Sequence, residues 1–253
     1  MAIGAFVGFA ALGTWQVERR AWKLALIDRV TERVRGEPVA PPGADRWSQV
    51  DAANDEYQRV RIGGVFLNDR ETLVQASTDY GSGFWVMTPL QIDDGSFVLV
   101  NRGFVAPDRR DRSRRDDGSS AARTQAVVTG LLRLTQPGGS FLRKNDPGSE
   151  RWYSRDVQAI AQARGLRPVA PYFIDAQADA ATAAASGIRG RDAGEIVSGT
   201  APARWPVAGL TVIDFHNNHL VYAVTWYALA LMMALAIVYV VREERRQRHA
   251  GRP

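Results

Sequence analysis

The chain has 253 residues, 45% of them apolar and 23% charged, and no cysteine. That length suits one domain or two small ones. The missing cysteines exclude a disulfide scaffold, a thiolate nucleophile, cysteine zinc sites and iron–sulfur clusters. The net charge of +5 is concentrated at one end: Arg242–Pro253 carries five arginines and two glutamates, and the rest holds 27 basic and 25 acidic side chains. A short basic tail gives no ground for a nucleic-acid partner. His216, His219 and His249 are the only histidines, so an imidazole metal site has few candidates.

In chain order, Ala2 to Trp15 is apolar but short for a membrane span. A signal-peptide core, a re-entrant segment and a membrane helix lacking its first turns compete. No lysine or arginine precedes it, and it runs into Glu18, Arg19, Arg20, Trp22 and Lys23 in a helical pattern. That favours an uncleaved membrane helix over residues 1–16 with a truncated start. Val17 to Arg35 extend the helix through the stripe Ala21, Leu24, Ala25, Ile27, Val30 and Val34, and Gly36 with Pro38, Pro41 and Pro42 end it.

From Tyr57 the apolar period becomes two, and Gly63-Gly64 reads as a break before Val65-Phe66-Leu67. Further strands are expected at Thr72–Ala76, Phe84–Ile92, Phe97–Val105, Ala126–Leu134, Tyr172–Asp175 and Leu210–Phe215. Gly81-Ser82-Gly83 reads as a hairpin or bulge. Asp93-Asp94-Gly95-Ser96 is a hairpin turn, because Asp-Gly supplies the positive φ that a tight turn needs. Asp108 to Ser120 alternates charges and reads as a solvated loop. A helix fits Arg155 to Ala163, with Ser154 as cap and Gly165 as terminator. Ala176 to Ala203 reads as a flexible insertion. Residues 17–219 are therefore an antiparallel β-rich domain with minor helix, of the α+β class or an open barrel.

Leu220 to Val241 holds 22 consecutive uncharged residues. A helix of that length rises roughly 33 Å, against a hydrocarbon core of about 30 Å. Aromatics lie toward both ends, as in interfacial belts. The arginines of residues 242–253 place that tail in the cytoplasm. Two spans then put both termini inside and the β-rich domain outside. Arg19, Arg20 and Lys23 argue the opposite locally, but large domains translocate largely regardless of charge. The expected class is an α+β membrane protein, with two transmembrane helices flanking an antiparallel β-rich extracytoplasmic domain.

The chain has no GxSxG, HExxH, Walker A or Rossmann glycine pattern. Serine–histidine catalysis would need His216 or His219 beside the membrane, so a non-enzyme is favoured. On a helix starting by Asn218, His219, Tyr222, Ala223 and Trp226 share one face at i, i+3, i+4 and i+7. An imidazole, a small gap and two aromatic rings suit a flat macrocycle with His219 as axial ligand to its iron. Helix capping or snorkelling by His219, with the aromatics as belt residues, is the alternative. His216 lies before the helix.

The chain resembles the surfeit locus protein 1 family, assembly factors of haem-copper cytochrome c oxidase. The resemblance rests on seven segments in order. These are Leu12-Gly13-Thr14-Trp15-Gln16 with Arg19, Arg20, Trp22 and Lys23; Thr88-Pro89-Leu90; Val100-Asn101-Arg102-Gly103-Phe104-Val105; Trp152-Tyr153-Ser154-Arg155-Asp156; Phe173-Ile174-Asp175; Arg204-Trp205-Pro206-Val207; and Asn217 through Tyr227. It implies two membrane helices around an exterior domain in the bacterial inner membrane, and a role in supplying or inserting haem a into oxidase subunit I. Carried over, the family's helix-two histidine is His219, and Trp226 matches the aromatic beside it. The expected partners are subunit I, other oxidase assembly factors and membrane lipid, with haem a synthase a further candidate. A cofactor-free scaffold for an oxidase intermediate is the alternative, and a membrane-tethered sensor a third.

Overall fold

The computed structural model describes residues 2–115, 121–139, 143–178, 205–211 and 218–250. The chain divides into two compact units, Met1–Thr31 with Asp214–Pro253, and Glu32–Ile213.

The larger unit is built on six strands: β1 (Arg59–Leu67), β2 (Thr72–Thr78), β3 (Gly81–Gln91), β4 (Phe97–Val105), β5 (Arg123–Leu134) and β6 (Val169–Ala176). Their order is β1-β5-β6-β4-β3-β2. β1 pairs with β5 along its length and again with β3 at Val65↔Gln91 and Phe66↔Leu90. Five strands thus close on themselves, and β2 extends the outer edge of β3. The sheet is mixed, not purely antiparallel: β4 and β6 run parallel, because the chain returns to β4 only after β5 and the helix α2 (Val157–Arg164).

β4 is central and buried on both faces. Val98 and Val100 join Val60, Phe66, Leu90, Val128, Leu132, Tyr172 and Ile174 in a cluster fed by all five closed strands. Phe97 and Leu99 point to the other side, where Trp152 and Phe173 pack with Val157 and Ile160 of α2. This two-sided burial is why the sequence of β4 is almost unbrokenly apolar.

Three local expectations need correction. Gly63-Gly64 does not break β1. A Cβ on Gly64 would lie 2.4 Å from the Gln91 carbonyl oxygen, so glycine is what lets β1 close on β3. Asp156, not Ser154, caps α2: its carboxylate accepts from Ala159 N at 3.1 Å, while Ser154 Oγ accepts from Gly139 N and Asn145 Nδ2. The loop after β4 is not wholly solvated. Arg115 is buried, bonding Glu71 at 2.9 Å and the carbonyls of Arg109 and Arg110. Gly165 ends α2 with φ 64°, and Gly95 turns the β3–β4 hairpin with φ 82°, as expected. Leu210 and Thr211 are not in a strand. The rest of the expected strand at 212–215, residue His216 and most of the expected insertion lie outside the described residues.

The smaller unit consists of α1 (Ala2–Arg35), up to Thr31, and α3 (His219–Ala250). Among the described residues one helical stretch, His219–Gln247, is long and apolar enough to cross a membrane, and almost none of it is buried. α1 is longer than the expected first span but charged in its second half. α3 does not stop at Val241. Arginine, glutamate and glutamine are strong helix formers, and Gln247 reaches Glu243 at 3.3 Å one turn back.

Candidate ligand site on the helix pair

α1 and α3 run antiparallel, so that Phe9 meets Trp226 and Gln16 meets His219. Small residues bring them together. Ala223 and Ala230 are buried on α3, and a Cβ on Gly13 would sit 2.9 Å from the Tyr227 ring. Thr14 Oγ1 donates to the Ala10 carbonyl at 3.0 Å, so the Tyr227 hydroxyl, 3.1 Å away, donates to Thr14. Phe9 and Trp226 stack with centroids 5.8 Å apart and planes at 24°.

Gln16 is a buried polar residue of this interface. It is only 9% exposed, and its Oε1 lies 2.7 Å from Nδ1 of His219. An amide oxygen can only accept, so Nδ1 carries a proton and, of the two neutral tautomers, the contact selects the one with its lone pair on Nε2. Among the described residues nothing hydrogen-bonds Nε2. A backed imidazole with a free Nε2 is how proteins present histidine to a metal.

The three residues singled out by spacing do not sit alike. His219 and Trp226 are half-buried on the face toward α1, with Ala223 between them. Tyr222 is 54% exposed on the flank. Gln16, Gly13 and Phe9 complete the interface from α1. A lone glutamine within an apolar run was the available signal for the first, but periodicity on α3 cannot reveal a partner some 200 residues away.

Two long terminal helices that bracket a closed mixed sheet in sequence define a two-unit α+β protein whose His219 donates from Nδ1 across the helix pair. The SURF1 family model matches residues 3–231, and the chain belongs to that family. It is 32% identical to human Surfeit locus protein 1 over 238 residues, covering 87% of this chain and 69% of the relative. Against the Xenopus tropicalis protein of the same name the figure is 33% over 236 residues, 87% and 67% of the two chains. A SURF1-like protein of Monosiga brevicollis is 30% identical over 244 residues, 92% of this chain and 83% of its own.

Proposed function

We propose that this protein is a membrane-anchored assembly factor for haem-copper cytochrome c oxidase, which binds haem a and aids its delivery to or insertion into subunit I. Family membership supports the oxidase role, and the Gln16–His219 contact carries the cofactor reading. A bound haem a supplies an iron that takes neutral imidazole as axial ligand. His219 offers Nε2, Gln16 fixes the tautomer, and Trp226 supplies an apolar wall. Leu220 to Val241 anchors the chain in the bacterial inner membrane, with the β-rich unit outside and the arginines after Val241 in the cytoplasm.

The test is the haem content of protein purified from cells that make haem a. Bound haem a in the parent, lost in His219→Ala with membrane insertion intact, supports the reading. A second reading, a cofactor-free scaffold that steadies an oxidase intermediate, is favoured by one observation: the face of Trp226 is already occupied by Phe9. Equal haem content in His219→Ala and the parent would promote it.

A further inference from the structure

The larger unit contains a cavity of about 220 Å3 whose wall includes Arg133, Arg155, Asp175, Thr211 and Ala176. Three of the segments quoted above meet there: Asn101 from β4, Arg155 from the strip before α2, and Asp175 from β6. Asp175 is 3% exposed, and its carboxylate is saturated. It accepts from Asn101 Nδ2 at 2.8 Å, Thr211 Oγ1 at 3.0 Å, Arg133 Nη1 at 3.2 Å and Arg155 Nη1 at 3.1 Å.

Both arginines therefore spend Nη1 on the same acid. Their Nε groups are also taken, by Glu56 for Arg133 and by Gln136 for Arg155. Among the described residues neither Nη2 has an acceptor. The guanidinium planes are pinned as well, Arg155 over the Phe173 ring at 4.8 Å and Arg133 over Tyr57 at 4.6 Å. Each side chain is less than one-sixth exposed. Burial pushes the Arg155 pKa down, with Asp175 opposing and Arg133 adding to it. Arg133 is paired with both Glu56 and Asp175, and Arg155 with Asp175 alone. Two rigid forks whose Nη2 donors are unused match an oxyanion.

We propose that this cavity binds an oxyanion, a carboxylate or a phosphate, on the Nη2 groups of Arg133 and Arg155. Its volume is below the about 300–1,000 Å3 of pockets for drug-sized ligands. It therefore takes an acid group and not a whole cofactor. Asp175 is the fixed counter-ion that aims the two forks.

The experiment is calorimetry on the full chain in detergent with sodium phosphate and, separately, sodium acetate, against sodium chloride at equal ionic strength. The parent is expected to bind at least one of the two, and the stronger heat names phosphate or carboxylate as the ligand chemistry. Arg155→Lys keeps the charge and loses the fork, and should weaken binding at least tenfold. Arg133→Lys makes the same change at the second fork, and should weaken binding likewise. Parent protein indifferent to both anions overturns the proposal. So does undiminished binding in either variant. If Arg133→Lys fails to fold, the parent titration and Arg155→Lys decide alone.

Discussion

Oε1 of Gln16 lies 2.7 Å from Nδ1 of His219, and this contact decides which imidazole nitrogen is left for a ligand. The two residues are 203 positions apart and come from opposite ends of the chain. With an acceptor fixed on Nδ1, the lone pair must reside on Nε2. Losing that acceptor should weaken metal binding about 10–100-fold, the usual cost of removing an outer partner of a histidine ligand. Gln16→Leu should therefore lower retained haem a per protein while α1 stays helical. Gln16→Glu, which still accepts from Nδ1–H, should restore retention and shift the haem spectrum, since a carboxylate makes the imidazole a stronger donor. A merely structural Gln16 predicts no spectral shift in the rescued variant.

Trp226 and Tyr222 separate by exposure. Trp226 is half-buried and stacked on Phe9, while Tyr222 is mostly exposed on the flank. Trp226→Leu removes a ring worth about 0.5–1.5 kcal/mol in stacking beyond its burial. It should reduce haem retention more than Tyr222→Leu does. Comparing haem per protein in the two variants checks the order, and a larger loss in Tyr222→Leu would move the ligand to the outer flank.

The proposed topology rests on the arginines beyond Val241. A reporter active only in the cytoplasm, fused after Pro253, should be active, and an export-dependent reporter at the same place should be silent. The reverse pattern would put the β-rich unit inside and end the oxidase reading for that domain.

Gly103 is fixed by its surroundings. Its φ is 127°, and a Cβ there would lie 2.2 Å from the Val207 carbonyl oxygen. Val207 cannot retreat easily, because it exchanges two backbone hydrogen bonds with Phe104, at 2.8 and 2.9 Å. Gly103→Ala should cost about 3 kcal/mol or more, a fall of roughly 10 °C in melting temperature for a chain of this size. An unchanged melting curve would refute that role.

What could be read from the sequence was local. The bounds of β4 were legible because Phe97 to Val105 is apolar between a turn and a charged loop. The Gly95 turn and the Gly165 stop follow from the same short-range chemistry. The closure of β1 on β3 was not legible, because the glycine pair that permits it looks like an interruption until Gln91 is placed against it. The parallel β4–β6 pairing depends on where α2 sends the chain, which no period reports. Likewise, Arg155 and Asp175 stand in two separate motif segments, and nothing local pairs them until the fold sets them 3.1 Å apart.

Asp175 should be the most costly charge in the larger unit to remove. Its carboxylate alone holds Arg133 Nη1 and Arg155 Nη1, and it is 3% exposed. Breaking a buried pair from one side typically costs about 3–5 kcal/mol, because the partner is left charged and unpaired. Here Arg155 is left with no acid partner, while Arg133 keeps Glu56 at 3.4 Å. Asp175→Asn keeps the shape and one acceptor, so it should fold, but with a clearly lower melting temperature. Added phosphate or acetate should then recover more stability in Asp175→Asn than in the parent, since the cavity has gained a positive charge. The exposed pair Glu150–Arg164 provides the contrast. The Arg164 hydrogen bonds hold the Glu150 carboxyl below its ordinary pKa, so its stabilisation is present at neutral pH and lost as pH falls through that lowered value. Glu150 is mostly solvent-facing, and Glu150→Gln should cost no more than about 1 kcal/mol. Thermal melts of both variants, with and without the anion, check the ranking. Equal losses, or an anion effect no greater in Asp175→Asn than in the parent, would mean that Asp175 does not balance the two arginines.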